Sequence, residues 1–271
     1  RVRYLADYHT HSSVSPDGSV TVSELAGAAI DHGLNEICVT DHVDTVLWGS
    51  HLPRTSFDWA AVARQVAEAR QRCGHRLTIR MGAELGEAPM AFDRAEKLLA
   101  DAPELDFVIG SVHMAGEKFH HFDLYYIEKR DETYYHSVID SYLDDVLTLA
   151  RWGKFNVLGH LTLPLRYMNE NLGEHMTFEG HEEQCREIFR TLIQNGCGIE
   201  CNTNRGNTPL PDAPLLRLYR ELGGEIITLG SDAHDTRYVG CAIRERQELL
   251  RQCGFRYFTT FEGGRPVFRP L

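Results

Sequence analysis

Short apolar runs alternate with longer amphipathic stretches along this chain, and the alternation predicts its architecture. The stretch 4–11 reads as a strand. A helix is expected over 25–30, capped by Ser23 and ending near Gly33, then a strand over 36–40. The segment 57–73 carries Trp59, Val62, Ala63, Val66 and Ala69 on one helical stripe. Strands at 77–81, 106–111, 156–159, 198–202 and 226–229 are separated by helices at 93–99, 132–152, 178–195 and 212–222. A helix over 239–252 and a closing strand near 256–259 complete the order. One long connection, 161–178, is rich in Asn, Glu and Gly, and unstructured loops of that length are often functional. Strand and helix thus alternate about seven times, which implies a parallel sheet with helices outside it.

The polar residues fall in a second pattern. The expected strands run into His, Asp or Glu: Asp7-Tyr8-His9-Thr10-His11, Thr40-Asp41-His42, Gly82-Ala83-Glu84, Gly110-Ser111-Val112-His113, Gly159-His160 and Ser231-Asp232-Ala233-His234. In a closed barrel of parallel strands the C-terminal strand ends carry the active site. His9 and His11 alternate on extended chain, so both imidazoles can face one ion. Asp17, in the turn sequence Pro16-Asp17-Gly18, reads by itself first as a turn residue and only second as a further ligand. His75 reads as a solvated loop residue, and His175 and His181 as surface or capping residues. His120 and His121 cannot share a ligand geometry, being adjacent, and are candidates for the substrate side.

Composition narrows the class. At 271 residues, 42% hydrophobic and 25% charged, the chain suits a single globular domain over 1–271. A net charge of -11 argues against nucleic acid as partner. No apolar run approaches the roughly 20 residues of a membrane span. The seven Cys are scattered without a CxxC, and no signal-like segment follows Arg1, so reduced thiols and a cytoplasmic location are expected.

Taken in order, these motifs resemble the PHP (polymerase and histidinol phosphatase) superfamily over nearly the whole chain, most of all its monofunctional histidinol-phosphate phosphatases. The resemblance implies an α/β fold, a distorted (β/α)7 barrel with a cluster of two to three divalent metal ions at the C-terminal strand ends. It implies a first site of His9, His11, Glu84 and Asp232, a second of Glu84, His113 and His160, and a third of Asp17, His42 and His234. Glu84 would bridge, and Glu84, Asp232, His234 and His42 would form the catalytic set. Family members vary at the position of Asp17, and without it a two-metal enzyme would remain. Loop arginines grip the substrate phosphate in such enzymes, a role that would fall to Arg166 and Arg205; the alternative for each is a surface arginine paired with a carboxylate.

The chemistry of the residues agrees. Six imidazoles and three carboxylates suit Zn, Mn or Fe(II) better than Mg or Ca. Three such ions, the carboxylates and one hydroxide leave a formal charge of about +2, which attracts a phosphate dianion. No P-loop or Ser/His/Asp nucleophile motif is present, so a metal-bound water is the expected nucleophile. The reaction expected is hydrolysis of L-histidinol phosphate. Alternatives are a phosphoesterase for another small ester, such as a nucleoside monophosphate, and an inactive binding module of the same fold. Nine competent ligand positions speak against the last. An amidohydrolase also opens on His-x-His but would place a Lys where this chain has His113. Trp48, Glu87, Glu117, His120, His121 and Tyr167 are the candidates for meeting the rest of the substrate.

Overall fold

The computed structural model describes residues 3–271; Arg1 and Val2, at the start of the domain expected over 1–271, lie outside the described residues. Strands β1 (Ala6–Thr10), β2 (Glu36–Val39), β3 (His42–Asp44), β4 (Thr78–Gly86), β5 (Phe107–Ser111), β6 (Val157–Leu158), β7 (Gly198–Asn202) and β8 (Ile227–Gly230) form one parallel sheet. Its order is β1-β2-β4-β5-β6-β7-β8, with β3 prolonging the path of β2 along β4. The ends meet: Thr10 bridges Ala233, the N–H of His11 donates to the carbonyl of Ala233 (2.8 Å), and that of Asp232 to the carbonyl of His9 (2.8 Å). Seven staves therefore make a nearly closed barrel, as the resemblance implied, with β3 as an extra segment of the second.

The helices between staves are α1 (Val22–Asp31), α2 (Trp59–Cys73), α3 (Phe92–Ala100), α4 (Glu132–Trp152), the single turn α5 (Leu163–Leu165), α6 (Glu182–Gln194), α7 (Ala213–Glu221) and α8 (Ile243–Gln252). Each buries an apolar stripe, such as Trp59, Val62, Val66 and Ala69 of α2, against the sheet or a neighbouring helix. Among the described residues no helix is long and apolar enough to cross a membrane. All seven Cys are free and six are buried.

Four expectations are corrected. Thr21, not Ser23, caps α1, because Thr21 and Glu24 form a reciprocal capping box. β4 runs through Glu84 to Gly86, so Glu84 sits inside the strand, opposite His42 of β3. The closing strand is half of an antiparallel hairpin, β9 (Tyr257–Glu262) and β10 (Arg265–Pro270), turned by Gly263 and Gly264 at φ 57° and 78°, which L side chains rarely adopt. Phe258 and Phe261 of this hairpin are buried, and Phe261 packs on Phe107 (4.9 Å between centroids) at the N-terminal end of the barrel. Finally, the long connection is not featureless: 166–171 form a π-helical turn that begins with Arg166.

Candidate metal centre

At the C-terminal mouth of the barrel, six imidazoles and three carboxylates converge, and the fold explains why each points there. His9 and His11 alternate along β1 into its end. His42 starts β3, His113 and His160 follow β5 and β6, and Asp232 and His234 follow β8. Asp232 takes the left-handed backbone (φ 61°). Gly230 lies beneath: a Cβ there would come within 2.4 Å of the His9 Cβ, so only glycine lets β8 approach β1 this closely.

Glu84 is the hub, with its carboxylate fully buried. Its Oε1 is 2.9 Å from His9 Nε2, 3.3 Å from His11 Nε2 and 3.4 Å from His42 Nδ1. Its Oε2 is 3.0 Å from His113 Nε2 and 3.1 Å from His160 Nε2. Asp232 Oδ1 lies 3.2 Å from His11 Nε2 and 3.3 Å from His9 Nε2. Asp17, the ambiguous turn residue, reaches the cluster: its Oδ2 is 3.0 Å from His234 Nε2 and 3.5 Å from His42 Nε2. Three sets have ligand atoms all within 4.8 Å of one another: His9, His11, Glu84 and Asp232; His42, Glu84 and His113; and His11, His42 and His234. The first is the set expected for the first site. His42 stands between the expected second and third, and His160 joins through Glu84.

The far side of the imidazoles fixes how they face. His9 Nδ1 meets Glu200 Oε2 (2.5 Å), His113 Nδ1 meets Glu87 Oε1 (2.9 Å), and His234 Nδ1 meets the Asp232 carbonyl (2.8 Å). His11 Nδ1 meets Ser15 Oγ (3.1 Å), whose own proton goes to Asp41 Oδ1 (2.7 Å). Each of these partners accepts, so each ring donates from Nδ1 and turns its Nε2 lone pair inward. Inward lone pairs then face carboxylate oxygens. Acceptor against acceptor inside a buried site requires positive charge between them, a proton or a metal ion, and the convergence of so many inward nitrogens and oxygens fits these residues as metal ligands. Among the described residues His42 Nδ1 and His160 Nδ1 are buried without a hydrogen-bond partner, so His42 can offer a nitrogen on either side.

The electrostatics show the same demand for positive charge, which protons on the rings can meet in place of a metal ion. Burial opposes charge on His9 and His113, yet the carboxylates Asp232, Glu200 and Glu84 around the first, and Glu84 and Glu87 around the second, carry both pKa values well above the usual imidazole range. Burial is likewise outweighed at Glu84, by His9, His42 and His113, and at Asp232, by His9, His11 and Arg166, so both carboxyls are held well below the usual range.

Of the two candidate arginines, the structure brings only Arg166 to the site. Its guanidinium reaches Asp232 Oδ2 (3.4 Å), Asn204 Oδ1 (3.0 Å) and Asn202 Oδ1 (3.2 Å) and lines a cavity of about 380 Å³ over the cluster. Arg205 is exposed, with its guanidinium stacked over Tyr238 at 4.5 Å, and is not among the lining residues. The backbone turns at Asn204 and Arg205 (φ 51° and 55°), so the asparagine side chain enters the site and the arginine leaves it.

Trp48, Glu87 and Tyr167 line the cavity, whereas Glu117, His120 and His121 do not. His75 and His175 are exposed; His181 is the N-cap residue of α6, as one of its expected roles had it, but it caps through its backbone carbonyl and is buried, its Nε2 bonded to His136 Nδ1 (2.8 Å). Sequence reasoning missed Glu200. Its Oε2 holds His9 while Oε1 accepts the N–H of His160 (3.0 Å) and the amide of Asn202 (3.2 Å). The available signal was an acidic residue in the middle of an otherwise apolar strand.

Comparison with known proteins places this geometry. The chain is 28% identical over 261 residues to the histidinol-phosphatase of Lactococcus lactis subsp. lactis (strain IL1403), covering 95% of this chain and 94% of that protein. It is 24% identical over 257 residues to a probable histidinol-phosphatase of Thermotoga maritima, covering 93% and 94%. It is also similar to the crystal structure of histidinol phosphate phosphatase from Lactococcus lactis, complexed with Zn, L-histidinol and phosphate: the TM-score is 0.81 at 25% identity, over 98% of this chain and 100% of that one. A model of the PHP domain matches residues 7–204, more than half of the chain, which therefore belongs to the PHP domain family.

Proposed function

We propose that this chain is a metal-dependent phosphomonoesterase that hydrolyses L-histidinol phosphate to L-histidinol and inorganic phosphate, as a single PHP phosphoesterase domain over 1–271 in the cytoplasm. One observation carries the reading: the inward-facing imidazoles and carboxylates crowd the mouth of a barrel that is similar, over almost its full length, to a phosphatase holding Zn, L-histidinol and phosphate.

The residues would hold two to three divalent transition-metal ions, Zn, Mn or Fe. His9, His11, Glu84 and Asp232 form the first set; Glu84 with His113 and His160 the second; Asp17, His42 and His234 the third. Such ions, when bound, polarise phosphoryl oxygens and lower the pKa of water toward neutrality. The protein supplies the rest. Glu84, shared by the first two sets and 3.4 Å from His42 of the third, fixes their spacing. Glu200, Glu87 and Ser15 keep the rings from rotating. Arg166 lines the cavity with its guanidinium held by Asn202, Asn204 and Asp232, whose Oδ2 takes both Nη1 and Nη2, and its remaining Nη1 N–H and its charge are what it offers a phosphate oxygen. The catalytic set is Glu84, Asp232, His42 and His234, with Arg166 on the substrate phosphate.

A phosphate-release screen of metal-reconstituted protein tests this. L-Histidinol phosphate should be turned over with the largest kcat/KM, ahead of nucleoside monophosphates and sugar phosphates. A nucleotide at the head of the series would replace the substrate and keep the chemistry. Elemental analysis should find two to three ions per active chain.

A further inference from the structure

We propose that Asp123, set in the aromatic wall of the cavity, is the recognition point for a cationic group on the non-phosphate end of the substrate. The proposal rests on the phosphomonoesterase reading and names the substrate class within it: phosphate esters of amino alcohols.

Five carboxylates line the cavity, namely Asp17, Glu84, Glu87, Asp123 and Asp232. Four are committed: Asp17 to His42 and His234, Glu84 to the cluster, Glu87 to His113, and Asp232 to His9, His11 and Arg166. Among these described lining carboxylates, Asp123 alone has no imidazole or guanidinium beside it. Its Oδ1 accepts the N–H of Tyr125 (2.9 Å), which orders the turn of Leu124–Tyr126. Its backbone is bridged to Met114, next to His113, so its position relative to the cluster is set by the barrel. A half-buried carboxylate without a counter-charge in a cavity is a site for a cation.

The surroundings select the kind of cation. Tyr125 packs edge-on to Tyr167 (5.8 Å) and to Tyr126 (5.1 Å), and Trp48 stands edge-on to His42 (5.3 Å). Tyr125 and Tyr126 are 59% and 73% exposed, so large aromatic surface faces the opening of the cavity. Such faces attract ammonium groups and cover flat or apolar bodies. The cavity therefore has two poles, Arg166 with the metal cluster for a dianion, and Asp123 with the tyrosines for a cation. Sugar phosphates and nucleoside monophosphates carry no cation at neutral pH to match the second pole. L-Histidinol phosphate carries an ammonium and an imidazole.

Asp123→Asn tests this, because Asn still accepts the Tyr125 N–H and keeps the turn. Turnover of L-histidinol phosphate is compared with that of p-nitrophenyl phosphate, which has no cation. The variant should lose roughly tenfold or more in kcat/KM for the first, mainly through KM, by the scale of truncated charge pairs, and stay within about twofold for the second. Equal losses on both, or none on either, would overturn the proposal. Metal content should not change. A second arm does not depend on histidinol: O-phosphoethanolamine and ethyl phosphate, which differ by an ammonium, compete against p-nitrophenyl phosphate hydrolysis. The parent should prefer the former and the variant should not; no preference in the parent overturns the cation site. If that preference holds but the parent leaves L-histidinol phosphate uncleaved, the substrate assignment fails and the cation site stands.

Discussion

Glu84 and Glu36 are buried carboxylates at opposite ends of one barrel, and their neighbours differ in kind. Glu36, the first residue of β2, accepts from the Tyr4 hydroxyl (2.6 Å) and the Tyr8 hydroxyl, and lies 3.7 Å from Arg80 Nε and 3.5 Å from Arg269 Nη2. Phenols and guanidiniums are permanent donors at neutral pH, so the protein satisfies this charge by itself. Arg269 comes from the closing hairpin, which ties the C-terminal segment to the base of the barrel. Glu84 instead meets only imidazoles, whose inward nitrogens are acceptors unless something positive arrives. A carboxylate closed off by the protein is structural; one surrounded by oriented acceptors is incomplete until it binds. The base and the mouth thus differ by who supplies the positive charge.

Five substitutions sharpen or break that contrast; the expected losses descend from Glu84 through Arg166 to Glu200, with Arg205 and Glu36 as controls. Glu84→Gln should remove at least one ion and lower turnover roughly a thousandfold or more, the scale of removing a principal electrostatic stabiliser. Full metal content with near-normal turnover would refute the bridging role. Arg166→Ala should leave the ions in place and cost about 2–4 kcal/mol in kcat/KM, or roughly 30- to 1000-fold. Arg205→Ala should stay within about threefold, the range of an exposed contact. Steady-state kinetics with inhibition by inorganic phosphate reads both, and a large loss at Arg205 would mean that its loop turns inward on binding.

Glu200→Gln should weaken metal retention or activity by roughly 10- to 100-fold, as changes to groups that orient metal-ligating histidines do. Titration with a competing chelator measures it; unchanged retention would show that His9 needs no orienting partner. Glu36→Gln is the control at the base. It should cost about 1–3 kcal/mol in urea unfolding, from buried donors left with a weaker acceptor, while kcat per folded molecule and metal content stay at parent values. A catalytic defect there would erase the distinction between the two ends.

Which side of this contrast could be read from the chain depends on how local its cause is. Strand and helix order, the seven staves and the location of His9, His11, His42, His113, His160, Asp232 and His234 at their ends followed from periodicity and from short motifs, because a strand commits its last side chains to one end. The cap of α1 was also local, and Thr21-x-x-Glu24 outranked Ser23. Asp17 could not be decided from its turn, since its role depends on two histidines from other strands. Arg166 and Arg205 looked alike in sequence; one positive-φ turn at 204–205 separated them. Glu200 and Glu36 each stand in a strand, and the chain gives no hint that one holds a histidine and the other a guanidinium. Local spacing determined which residues reach an end of the barrel. Only tertiary packing decided which partners they meet there, because contacts between residues distant in sequence carry no local signature.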